Sequence, residues 1–562
     1  MPNTRIMLWV ALAALLYVNY TTWTADSARS AASAAATAPA RAHSQQFDDT
    51  VPFAAAPTAP VHPTGTPVGA APATNVPPPA TTAARSLHVR TDVFNMRIDL
   101  QGGELDQADL RRYPVHKDQP NRVVRLLNRD NPDSLYVIQT GLTGESGELV
   151  PDHLVTWSAS QNSYRLAPGE KELRVPLTWT DGHGLTVTKT FVFTRGSYAI
   201  GVTYHVVNAS AAPRELATYA QILRHWKIVK RSYFNVATYS FMGPAIYDGD
   251  KYQDLPLNVD KPTPFSRTIT NGWLAALQHH FVSAIVPTAG EPFAYQLLVH
   301  GHVFLLRATG PMQTVAPGAT ANFAEKVFVG PKLQSQLAAT GPRLELAVDY
   351  GKLTVIAEPL FKTLNWVHGI TGNWGWSIIL VTALIKLIFF PLSQASGRSM
   401  AKMRSVGPRM KQIQETYKDD REKLGRAMMD LYKKEKINPL AGCLPMIVQI
   451  PFFISFYWVL LESVEMRQAP FMLWVNDLSV RDPYFVLPLL MGGAMFAQFK
   501  LNPAPPDPTQ AKVMQFMPLV MTATMAWFPS GLVLYWLTNT VLSIVQQWRI
   551  NQIVQREARK RD

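Results

Sequence analysis

A single cysteine, Cys443, in 562 residues excludes an intrachain disulfide, and its place at the start of an apolar run reads as a buried structural thiol. Charge is also sparse, at 17% of residues against 47% hydrophobic, yet the balance is +13. A basic excess points to nucleic acid when it gathers in a groove for phosphates. Here the lysines and arginines gather beside apolar runs, which fits membrane topology and anionic phospholipid and argues against DNA. No G-x-x-x-x-G-K-[ST] phosphate loop occurs, so no nucleotide is expected as fuel. Metal-ligand spacing is missing too. The nearest approach, His279 and His280 in LQHHFVSAIVP, reads as two neighbours on a strand pointing to opposite faces, which makes them poor joint ligands. No cofactor, metal or catalytic residue is expected, and the chain does not read as an enzyme.

What the sequence does have is apolar runs at both ends. Residues 1–23 hold a strongly apolar stretch from Met7 to Val18, and composition alone leaves a cleaved signal peptide and a retained transmembrane anchor both open. Residues 24–86 are Ala, Pro, Thr and Ser, too poor in large apolar side chains to offset the entropy of ordering, and read as a disordered tether. Over 87–346 the pattern becomes period-two alternation broken by Gly, Asp, Asn and Pro. Leu185, Val187, Phe191 and Phe193 share one face, as do Tyr198, Ile200, Val202, Tyr204 and Val206, which predicts a large antiparallel β-sandwich.

The last third reads as a polytopic α-helical membrane domain. Residues 350–373 mix apolar positions at helical spacing with Lys, His and tryptophan, as in a helix lying in the membrane interface. Spans follow at 374–392, 441–463, 484–499, 513–528 and 531–548, of which 484–499 and 513–528 are short for a bilayer of about 30 Å. Loop charge tests this layout. Residues 396–437 carry 12 basic and 6 acidic residues, the loop from Glu462 to Asp482 has two basic against four acidic, and the tail 549–562 is basic again. Cytoplasmic loops are the basic ones, so six spans with both termini cytoplasmic and the sandwich outside are expected. Within 396–437, Met403, Val406, Met410, Ile413 and Tyr417, then Leu424, Met428 and Leu431, repeat at coiled-coil spacing and predict a helical hairpin, with Pro408 kinking or interrupting its first arm.

Lys386 stands inside VTALIKLIFFPL, where a lysine costs about 2.5–3.5 kcal/mol on insertion scales. One account is snorkelling toward the headgroups along its own stem. The other is a hydrophilic groove, because intramembrane charges usually face a wet or protein-lined interior. Thr382 lies one turn earlier, and other spans offer Gln449, Gln498, Trp527, Tyr535, Trp536 and Asn539 as further lining.

The stretches KINPLAGCLPMIVQIPFF, RQAPFMLWVNDLS, FPSGLVLYW and GNWGWSIILVTALIKLIFFPL closely resemble the YidC membrane protein insertases of Gram-negative bacteria, relatives of the Oxa-type insertases. The resemblance implies a retained N-terminal anchor, a periplasmic domain and a five-span core in the inner membrane. It also implies a cytoplasm-open groove with a basic residue at position 386, usually arginine in the family, which receives polar segments of nascent membrane proteins, alone or with a Sec-type translocon. Met400, Met403, Met410, Met428 and Met429 of the hairpin are candidates to receive apolar segments, with seam packing as the alternative for Met403, Met410 and Met428. The basic tail makes the ribosome and anionic lipid further candidate partners. Two rival readings are a membrane-anchored sugar-binding domain and a transporter. No repeat between halves of the core favours the latter.

Overall fold

The computed structural model describes residues 86–145, 148–227, 240–258, 264–396, 406–417, 420–434, 444–501 and 508–559. The expectations for the N-terminal anchor, the tether up to residue 85, Cys443, Met400 and Met403 lie outside the described residues.

Period-two alternation becomes two sheets that share one core, one of eleven strands and one of nine. Among the described strands all pairings are antiparallel except that of Ser86–Arg90 with Ser163–Arg165. Tyr198, Ile200, Val202, Tyr204 and Val206 are all buried, as are Leu185, Val187, Phe191 and Phe193. The same inward face of Leu185–Thr194 also carries Lys189, fully buried, between Val187 and Phe191. Its ammonium donates to Gly103 O at 2.8 Å and Thr140 O at 2.7 Å on the opposite sheet, and lies 5.1 Å from the Phe191 ring centre. A buried cation is tolerated only when so satisfied. Burial pushes Lys189 down to about 7 and lifts Glu325, also in the core, to about 8.

The last strand ends at Pro331, and α1 (Gln334–Thr340) follows and buries Leu337 in the core of the sandwich. Helix α2 (Thr354–Thr371) buries Ala357, Leu360, Phe361, Leu364 and Val367 on one stripe and exposes Val355, Trp366 and Ile370 on the other. The buried stripe packs within the protein, and the opposite side carries apolar side chains at the surface. It ends at Gly372, whose φ of 63° gives the left-handed C-terminal turn, and Asn373 then caps α3 (Trp374–Ile388) by accepting from the backbone N–H of Gly375 and Trp376. After Phe389 the chain turns by 56° into α4 (Phe390–Ser396).

The hairpin arms are α5 (Gly407–Thr416) and α6 (Arg421–Lys434). Val406, Met410 and Leu431 are buried together, with Ile413, Met428 and Tyr432 against them, so Met410 and Met428 serve the seam while Met429 is exposed. Within the described arm Pro408 sits in the first turn, where its missing N–H would have no partner anyway, so it leaves the helix from 407 to 416 unkinked. The remaining helices are α7 (Leu444–Glu462), α8 (Val486–Leu501), α9 (Pro508–Met525) and α10 (Ser530–Arg559). Helix α10 runs on through most of the tail that charge alone marked off at 549. Among the described residues no single helix is long and apolar enough to cross a membrane, and only α3 with α4, bent against each other, pass that test together. At 1.5 Å per residue, α3 is about 22 Å long and α8 about 24 Å.

The sandwich is joined to the helices through the C-terminal end of α7. His279 and His280 lie in the turn before strand Phe281–Val286, not within it, so the alternation expected of them does not apply. Their rings stack 3.8 Å apart, and both Nε2 atoms lie on the carbonyl of Leu461, at 2.9 and 3.2 Å. The last carbonyls of a helix lack intrahelical donors, so the two imidazole N–H groups cap α7 from outside. Burial, with Lys332 nearby, pushes His279 down to about 4, and burial beside His279 pushes His280 well below its ordinary value. Lys332 stands 3.8 Å from the Glu462 carboxylate with both side chains 2% exposed, and Ser240 also donates to Glu462. Beyond α7, Arg467 donates to Pro114 O at 2.8 Å, Gln468 to the same carbonyl at 2.9 Å, and Lys117 reaches Asn476 O at 2.7 Å.

Candidate functional site

Residues 467–482 form a cap from which two helices start. Phe471 lies against Gly375 and its carbonyl accepts from the Asn373 side chain, which fixes the first turn of α3. Gly531 N–H donates to Leu478 O at 2.9 Å and Ser530 to Val480 O at 2.7 Å, which fixes the first turn of α10. Helices α3 and α10 therefore run parallel from a common floor. Lys386 is the thirteenth residue of α3 and Ser543 the fourteenth of α10, so both stand at the same depth, roughly 18–20 Å from the cap.

That equality of depth brings the two side chains together. Lys386 is 9% exposed, and its ammonium donates to Ser543 Oγ at 2.8 Å. Ser543 in turn donates to the backbone carbonyl of Asn539 at 2.7 Å. Among the described residues no carboxylate pairs with Lys386, so a cation in apolar surroundings is satisfied by one hydroxyl and keeps two N–H donors for other partners. Thr382, one turn earlier, is buried and donates to Ile378 O on its own helix at 2.6 Å.

The other expected residues take different places. Tyr535 is buried and stacks on Phe456 at 4.3 Å, and Trp536 meets the edge of Phe453 at 4.6 Å, so both form an aromatic wall between α7 and α10. Asn539, half-buried, contributes its carbonyl to the Lys386–Ser543 chain. Gln449 on α7 and Gln498 on α8 are half-buried, and neither bonds Lys386 among the described residues. Trp527 lies exposed at the turn between α9 and α10. Ser543 escaped the reading of the sequence. Its signal was there: it follows Asn539 by four residues and so shares its face of α10.

Residues 86–363 match the family described as YidC periplasmic domain, and residues 366–558 match the one described as 60Kd inner membrane protein. Membrane protein insertase YidC of Thioalkalivibrio sulfidiphilus is 48% identical over 495 residues, covering 86% of this chain and 87% of that protein. The chain belongs to the YidC family of membrane protein insertases. Membrane protein insertase YidC of Nitrosococcus oceani is 45% identical over 481 residues, covering 85% of this chain and 87% of its own length. A crystal structure of an active YidC insertase with its first transmembrane domain resolved covers 83% of this chain and 92% of its own, at 18% identity and a TM-score of 0.37. The division between the two family matches, at residues 363–366, falls within α2, the helix that links the β-rich periplasmic domain to the rest.

Proposed function

We propose that this protein inserts transmembrane segments of nascent membrane proteins into the inner membrane through a hydrophilic groove centred on Lys386. The observation that carries the reading is the Lys386 ammonium, set between α3 and α10 on a serine hydroxyl with no carboxylate beside it among the described residues. A cation kept unneutralised in apolar surroundings attracts an acidic polar segment of a substrate, which a salt bridge within the protein would prevent. The segment enters the groove, and transfer of the substrate's apolar surface into lipid, at about 25 cal/mol per Å², drives release without nucleotide. Such a protein is an insertase and not an enzyme.

In this account six spans cross the membrane, both termini are cytoplasmic, and the sandwich lies in the periplasm. The helix α8, shorter than a bilayer of about 30 Å, thins the membrane locally and shortens the polar segment's path. The hairpin with exposed Met429 and the basic end of α10 face the cytoplasm, where a ribosome and anionic phospholipid are partners, and a Sec-type translocon shares some substrates. Lysine in place of the family's usual arginine gives one-point rather than forked capture of a carboxylate. Photocrosslinkers placed at Thr382, Lys386 and Trp536 test the reading. Adducts with a stalled nascent membrane protein are expected at 382 and 386, and adducts confined to lipid at both would overturn it.

A further inference from the structure

We infer that Ser543 is the positioning residue that aims the Lys386 ammonium at acidic substrate segments, an inference that rests on the groove reading above. The hydroxyl has one proton, and the Asn539 carbonyl 2.7 Å away, on the same helix, takes it. Its lone pairs are left for Lys386, whose Nζ lies at 2.8 Å. Ser543 is therefore held as an acceptor, oriented by α10 itself, and has no rotamer in which it keeps the Asn539 bond while presenting a proton to the ammonium. The lysine stem has four rotatable bonds and no fork to fix its direction. Its neighbour one turn back does not fix it: the Thr382 hydroxyl donates to Ile378 O at 2.6 Å, and among the described residues the Lys386 ammonium bonds Ser543 and not Thr382. The single bond across to α10 thus sets where the charge stands, with two N–H donors still directed away from Ser543. A substrate carboxylate meeting a fixed donor pair loses less freedom than one meeting a swinging cation.

Full-length protein in liposomes of defined lipid, offered a single-span substrate with two Asp or two Asn in its translocated tail, tests this through the ratio of protease-protected acidic to neutral tails. Ser543→Ala is expected to lower that ratio at least threefold, and Ser543→Thr, which keeps the hydroxyl, to restore it. A wild-type ratio in Ser543→Ala, a loss shared equally by both tails, or no rescue by threonine would each overturn the inference. Lys386→Gln is expected to remove the acidic preference. If it does so while Ser543→Ala keeps the wild-type ratio, the groove reading stands and the role of Ser543 falls. If Lys386→Gln itself keeps the preference, both fall.

Discussion

Replacing Lys332 by Met removes the cation that stands beside Glu462 where the sandwich meets α7. Both side chains are 2% exposed at a separation of 3.8 Å, so the pair is buried but too long for a direct hydrogen bond. What remains for the carboxylate in the variant is the hydroxyl of Ser240. Leaving one partner of a buried pair alone typically costs about 3–5 kcal/mol, and the long separation places this case near the lower figure. Replacing both partners, Lys332→Met with Glu462→Leu, removes the uncompensated charge and is expected to return to within about 1 kcal/mol of wild type. For a domain of this size, about 3 kcal/mol corresponds to a fall in melting temperature of roughly 6–10 °C. Thermal unfolding of the protein in detergent micelles or nanodiscs, followed by tryptophan fluorescence, reads the difference. A single variant within about 0.5 kcal/mol of wild type, or a double variant as damaged as the single, would show that Lys332 and Glu462 do not depend on each other.

Two further outcomes follow from the same contacts. Burial holds His279, at about 4, and His280 below the ordinary histidine value of about 6.5 against the opposing pull of the Leu461 carbonyl, so the packed junction favours their neutral forms. Docking is therefore strongest above pH 6.5 and weakens as pH falls from there toward 4. The carboxyls of Asp254 and Asp349 near Lys332, with Arg467 near His280, complete the charged surroundings. Distances between spin labels on the sandwich and on the cap are expected to broaden at pH 5 relative to pH 7.5 in wild type, and a distribution unchanged over that range would contradict this. At the start of α3, a Cβ on Gly375 would collide with the Phe471 ring, so Gly375→Val is expected to cost about 1–3 kcal/mol by overpacking. Unfolding at the wild-type temperature would show that the cap does not press on α3.

The sandwich was legible because inward positions alternate over whole strands, as in Tyr198 to Val206. Lys189 was not, since period-two patterning assigns a face without saying whether a charge on that face will find carbonyls across the core. His279 and His280 misled for a related reason. Alternation holds only once a strand has begun, and here it begins at Phe281. In the helical part, Lys386 was marked by its chemistry alone, because an ammonium in an apolar run needs an explanation anywhere. Its partner required knowing that α3 and α10 start from one cap, a long-range fact carried by Asn373 with Phe471 and by Gly531 with Leu478. Pro408 shows the local ambiguity of a breaker: the same residue that kinks a helix interior opens one when it falls in the first turn.

In the proposed mechanism a fixed positive charge at position 386 draws polar, acidic segments into the membrane without fuel. Purified protein in liposomes, given an acidic-tailed substrate and no nucleotide, measures it directly through the fraction of tails protected from protease. Wild type and Lys386→Arg are expected to insert the substrate, with Lys386→Glu reduced severalfold. Equal insertion by Lys386→Glu would show that the charge at 386 does not draw the segment in.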